Sequence, residues 1–243
     1  MIKKKGNIMI NKQLYNLYEK HYPGMLSSLE GNNLSNPLLL KINDEEQYQK
    51  ADLKVMFLGQ ETNTWEGSLG SKSIEELLGT YSRFFGEGKC FRYGGPFWNT
   101  VKDYTGDIKE AYPDKRVEIV WNNLIKLGKE NSKGAPKKSL VAIQKEAFPV
   151  IREELEILKP DVVLFFTGPR YDQYLKAEWP NLTYHPLAHE PAGKLARLKG
   201  GSLHPQAFRT YHPNYLYRAG KPFYNSVKKS IISSISITPK VFP

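Results

Sequence analysis

The stretch Val55-Met56-Phe57-Leu58-Gly59-Gln60-Glu61-Thr62-Asn63 decides the fold. Its apolar run is unbroken and then stops at a glycine, an amide and a carboxylate. An unbroken run predicts a parallel strand buried on both faces, because a strand with one wet face alternates. The abrupt polar stop puts Gly59, Gln60 and Glu61 at the carboxyl end of that strand, where open α/β sheets build their sites. A second stretch, Phe208-Arg209-Thr210-Tyr211-His212-Pro213-Asn214-Tyr215-Leu216, has the same form and delivers a histidine. A carboxylate and an imidazole at one edge of a sheet make a candidate acid/base pair.

Outward from these runs, helical and strand patterns alternate. Leu14, Leu17, Tyr18, Met25, Leu26 and Leu29 recur near a helical period, with a break or kink expected at Tyr22-Pro23-Gly24. Ser73 and Glu76 form a capping box that opens a helix toward Phe85. A glycine-rich stretch over 86–95 holds Phe91, and Pro96 offers the next helix start. A second strand fits 117–121, just before Asn122 and Asn123, and a polar loop follows over 129–138. Residues 140–158 have helical spacing with a kink expected at Pro149, 161–166 read as a third strand, and 222–235 as a closing helix. The pattern predicts an α/β protein: a single three-layer α/β/α domain spanning 1–243, with a central, mainly parallel four-stranded sheet. Residues 1–50 read as an N-terminal helical extension and 184–205 as an inserted surface loop.

Composition narrows the partners. In 243 residues, 35 Lys and Arg against 25 Asp and Glu leave a net charge of +10, an electrostatic footprint suited to a polyanion or simply a well-solvated surface. The only cysteine, Cys90, excludes an intramolecular disulfide and multi-cysteine metal sites, which fits a reducing cytoplasm, and Cys90 is expected to be inert. No apolar run is long enough to span a bilayer. His185, His189 and His204 invite a zinc reading, but Pro186 interrupts their spacing and Glu190 is the one adjacent carboxylate, so no metal is expected. Lys194, Arg197 and Lys199 read as a solvated basic patch.

Four motifs then fall in series: Gly59-Gln60-Glu61, Phe91 ahead of Pro96-Phe97-Trp98-Asn99, Val120-Trp121-Asn122, and His212-Pro213-Asn214-Tyr215-Leu216. In order and spacing the chain resembles the uracil-DNA glycosylase superfamily over roughly residues 50–233. That resemblance implies cleavage of the N-glycosidic bond of uracil or a related damaged base in DNA, without a cofactor. The reaction builds positive charge on the sugar and negative charge on the departing base. By resemblance, Glu61 stabilises the cation and orients water, while His212 donates to the base oxyanion. Gly59 lies at the base pocket and the Gln60 backbone amide completes the base's hydrogen bonds, Phe91 stacks on the base, and Asn122, in competition with Asn123, reads its Watson–Crick edge. Pro96, Ser132, Asn214, Tyr215, Leu216 and Arg218 would contact DNA, with Tyr215-Leu216 standing where the family carries its wedge. The partner implied is single- or double-stranded DNA with the base flipped out, bound by a monomer.

The chain also departs from the family pattern. Glutamate replaces aspartate at 61, Thr62-Asn63 replace proline and tyrosine, and Asn214 and Tyr215 replace serine and proline. Glu61 as a helix cap and His212 as a turn histidine are the plain structural alternatives. A nucleic-acid-binding protein of the same fold without catalysis therefore remains beside the enzyme, as does action on a free nucleotide or nucleoside.

Overall fold

A computed structural model describes residues 9–201, 203 and 206–237. Helix α1 (Ile10–Leu29) is followed by the short α2 (Glu45–Gln49) and strand β1 (Leu53–Glu61). After it come α3 (Ile74–Tyr81), a π-helical turn (Ser82–Gly86), α4 (Cys90–Tyr93), α5 (Gly95–Ala111) and β2 (Val117–Ile125). Helices α6 (Lys138–Ala147) and α7 (Val150–Leu158) lead to β3 (Val162–Phe165), a 3-10 turn (Pro169–Tyr171) and α8 (Asp172–Glu178). The chain then forms β4 (Thr183–Pro186), β5 (Leu195–Lys199), β6 (Ala207–Thr210), α9 (Pro213–Arg218) and α10 (Lys221–Ile232).

The α/β architecture stands, but the sheet has six strands, in the order β2-β1-β3-β6-β5-β4, where the sequence suggested four. Strands β2, β1, β3 and β6 are parallel. The two additional strands come from the stretch expected to be a surface loop: β5 pairs antiparallel with β6, and β4 antiparallel with β5. Leu195, Ala196 and Leu198 are fully buried, and the Arg197 guanidinium lies over the Phe208 ring at 5.1 Å. The strand is short and its charged residues Arg197 and Lys199 interrupt the apolar pattern, so its periodicity is too weak to read. Ser202, His204 and Pro205 lie outside the described residues.

Strand alternation sorts the core into two faces. Val55, Phe57, Gly59 and Glu61 share one face of β1, and Phe57 packs on Phe166 at 5.9 Å, which in turn meets Phe97 and Tyr104 of α5. The other face is covered by α1, α6 and α7. Strand β2 forms an edge, and the Tyr81 hydroxyl covers it: it accepts from the Trp121 N–H at 3.2 Å and donates to the Trp121 carbonyl at 2.7 Å. Those two groups would otherwise lack partners in a buried setting.

Proline acts differently at its two helical positions. Helix α1 runs through Pro23 without a break. Pro23 is exposed, so the carbonyl it leaves free faces water, while Tyr18, Tyr22 and Met25 stay buried and the Tyr22 hydroxyl donates to the Lys72 carbonyl at 2.8 Å. Pro149, by contrast, does more than kink: it separates α6 from α7. The capping box at Ser73 is present as expected, with both reciprocal hydrogen bonds. Cys90 is buried, and burial pushes its thiol up to about 12, as an inert cysteine requires. Among the described residues no helix is long and apolar enough to cross a membrane.

Candidate active site

The site grows from one register. Gly59 on β1 stands opposite Asn123 on β2. A Cβ at Gly59 would lie 2.4 Å from Asn123 Oδ1 and 3.2 Å from Phe97 Cε2, so the missing side chain is what admits both groups. Phe97 sits in the first turn of α5, edge-on to Trp98 and Phe166. Its ring is stacked with that of His212, with centroids 5.9 Å apart and planes at 24°.

His212 follows the end of β6 by two residues and caps α9. Its Nδ1 accepts the Asn214 N–H at 3.2 Å, which leaves the ring proton of the neutral imidazole on Nε2. Burial lowers its pKa to about 4, so at neutral pH the ring is an uncharged donor.

Glu61 lies two residues beyond Gly59 on the same strand face. The Tyr171 hydroxyl donates to its carboxylate. Burial raises the Glu61 pKa above the ordinary carboxylate value, while the Tyr171 hydrogen bond and the Lys129 charge oppose that rise. The turn that carries Tyr171 also approaches the backbone at the histidine: a Cβ on Gly168, whose φ is +72°, would stand 3.5 Å from Tyr211 Cδ1 and 3.9 Å from the His212 backbone nitrogen. Gln60 points to the opposite strand face from Glu61, and its Nε2 donates to the Thr167 carbonyl at 2.7 Å, fastening the ends of β1 and β3 together.

Asn122 is placed away from this cluster. It is fully buried on the opposite face, where Nδ2 donates to Glu154 at 2.8 Å and Oδ1 accepts from Lys126 Nζ at 2.8 Å and from the Asn123 N–H at 2.8 Å. Glu154 also pairs with Lys126 at 2.8 Å and accepts from the Tyr18 hydroxyl at 2.7 Å. Asn122 is thus held inside this network on the face away from Gly59, and Asn123 holds the position facing Gly59. The sequence expected a strand ending before both asparagines. Strand β2 instead runs through them to Ile125, and the pleat sends them to opposite faces.

Phe91 is likewise drawn into packing, 6.4 Å from Phe85 and 6.2 Å from Trp98, and Phe97 is the aromatic beside Gly59. Leu216, expected beside Tyr215 at the wedge, is fully buried. Tyr215 is 42% exposed and stacked on Tyr211 at 4.0 Å. Arg218 is exposed and donates from Nε to the Asn214 carbonyl at 3.2 Å. Pro96 opens α5, and Ser132 lies in the loop after β2, apart from the aromatic cluster. Phe97, Tyr171 and Lys129 are the residues that sequence reasoning passed over, and Asn123 stood there only as the competitor of Asn122. Parity with Trp121 on one strand was a usable signal for Asn123, whereas Tyr171 and Lys129 carry none.

A family model described as the uracil DNA glycosylase superfamily matches residues 46–233. The chain belongs to the uracil-DNA glycosylase superfamily. In this superfamily member the matched range takes in all six strands and both ends of the cluster, Gly59 and His212, and leaves α1 outside. No curated protein matches the chain. His185 Nε2 lies 3.0 Å from Thr183 Oγ1, and among the described residues no group of three His, Cys, Asp or Glu is placed to hold a metal.

Proposed function

We propose that the chain hydrolyses the N-glycosidic bond of uracil or a related damaged base in DNA, as a base-excision repair enzyme. One observation carries the reading: Gly59, Asn123, Phe97 and a neutral His212 converge at the carboxyl ends of parallel strands, with Glu61 two residues further on.

The chemistry follows from these groups. As the bond between the sugar C1′ and the base nitrogen breaks, its electron pair leaves with the base and the sugar becomes cationic. His212 Nε2–H donates to the base oxygen where negative charge collects, and its low pKa keeps it a neutral donor rather than an acid. The Glu61 carboxylate stabilises the sugar cation and takes the proton of the water that adds to C1′. Asn123 reads the base edge with an amide that both donates and accepts, and Phe97 gives the pocket an aromatic wall. A charge of +10 suits a polyanionic substrate.

The test is base release from single- and double-stranded oligonucleotides carrying uracil, hypoxanthine or a mismatched thymine, followed by alkaline cleavage of abasic sites. Wild type should release at least one base, and Glu61→Gln and His212→Ala should not. Salt-sensitive binding without release from any substrate would instead establish a catalytically silent nucleic-acid-binding protein.

A further inference from the structure

Residues 31–38 precede the family-matched range, yet they are stitched into the edge of the candidate site. The Ser35 N–H donates to the Gly128 carbonyl at 3.0 Å, Gly128 returns its N–H to Ser35 Oγ at 3.0 Å, and the Leu38 N–H reaches the Lys126 carbonyl at 2.9 Å. On its other side the segment holds the loop after Glu61. The Leu69 N–H donates to the Leu34 carbonyl at 2.8 Å, and the fully buried Asn36 donates to the Glu66 carbonyl at 2.8 Å and accepts from the Gly70 N–H at 3.0 Å. The two loops so joined are in close contact, since a Cβ on Gly128 would fall 2.2 Å from the Thr62 carbonyl oxygen. The segment is therefore a strap between the loops that leave β1 and β2 at their carboxyl ends.

Beside the strap lies a cleft of about 430 Å³. Asn32 and Asn33 line one wall, and Lys129, Asn131, Ser132 and Lys137 line the other; no carboxylate lines it. Two ammonium groups, amides and a hydroxyl in a concave space favour a phosphate oxyanion. Lys129, which lines the cleft, is also near enough for its charge to favour the Glu61 carboxylate.

We propose that this cleft seats a phosphodiester of the DNA strand flanking the target nucleotide, with the N-terminal strap supplying one wall. The proposal rests on the nucleic-acid substrate proposed above and adds a strand contact made by residues outside the family-matched range. Its position next to the loop that follows Glu61 favours a phosphate in a continuous strand over a free one.

The test measures fluorescence anisotropy with a labelled single-stranded oligonucleotide carrying 2′-fluoro-2′-deoxyuridine, which resists hydrolysis, across a salt series. Lys137 and Asn33 are exposed, so Lys137→Gln and Asn33→Asp should keep the fold, as circular dichroism checks. Lys137→Gln should weaken binding and reduce the slope of log K against log salt by roughly 0.7, the value for one lost single-strand phosphate contact. Asn33→Asp, which puts a carboxylate in the opposite wall, should weaken binding in the same direction. Trimming the flank that occupies the cleft should weaken wild type and leave Lys137→Gln unchanged. Unchanged affinity and slope in both folded variants overturn the proposal. Equal competition by inorganic phosphate or dUMP, independent of flank length, overturns the assignment to a strand. Uracil release is scored separately on the natural substrate: release with unaltered slopes removes the cleft alone, while altered slopes without release remove the glycosylase reading alone.

Discussion

Phe97 and His212 lie ring against ring, their planes at 24°, and this contact joins the first turn of α5 to the turn between β6 and α9. The histidine owes its low pKa to burial, and Phe97 is part of what buries it. Phe97→Ala should therefore raise the His212 pKa from about 4 toward its ordinary 6.5, readable by NMR titration of the imidazole. It should also slow base release by ~10–100-fold through loss of the aromatic wall. Phe91→Ala should destabilise the aromatic cluster and leave the His212 titration where it is.

The same group makes stability depend on pH, with a definite sign. In the unfolded chain His212 takes a proton near 6.5, while in the fold it resists protonation down to about 4. Between those values the unfolded state binds more protons, so stability is complete above pH 6.5 and falls as pH drops toward 4, by at most ~1.4 kcal/mol per unit. Urea denaturation of wild type and His212→Asn across that range should show a shallower acid loss in the variant. An equally steep loss in both would assign the acid sensitivity to other groups.

Asn122 and Asn123 should separate stability from selectivity. Asn122→Ala removes a partner from the buried Lys126–Glu154 pair and should cost roughly 2–4 kcal/mol by urea denaturation. Asn123→Ala should cost about 1 kcal/mol, yet lose most discrimination among released bases. Replacing the pair together, Lys126→Met with Glu154→Leu, should be less harmful than Lys126→Met alone, which leaves the buried Glu154 without its ion-pair partner.

Gly59→Ala tests the close approach at the pocket floor. Gly59 does not have a positive φ, so the backbone accepts alanine, but the new Cβ meets Asn123 Oδ1 and Phe97. Base release should fall about 100-fold, as expected for a displacement near 1 Å, while the melting temperature moves by only a few degrees. An active Gly59→Ala enzyme would show that the base is held elsewhere.

Much of this was legible because local patterns were strong. The run from Val55 to Leu58 has too few polar residues to be anything but buried, and the capping box at Ser73 starts a helix without tertiary help. The β4 and β5 hairpin was not legible, since its strands are short, its polar residues interrupt the alternation, and its stability comes from pairing with β6. Neither was the fate of Pro23, which hinges on that face of α1 being exposed.

The sequence by itself determined the α/β class, the strand ends that carry Glu61 and His212, and the resemblance later matched over residues 46–233. These are properties of contiguous residues, so hydrophobic runs and motif order suffice to express them. Tertiary structure alone decided which asparagine and which phenylalanine face the pocket, because the choice between Asn122 and Asn123 is a matter of strand parity fixed by register against Gly59. It also decided that His212 is buried with a lowered pKa and that residues 31–38 join the loops after β1 and β2, since burial and long-range hydrogen bonds exist only once distant segments have met.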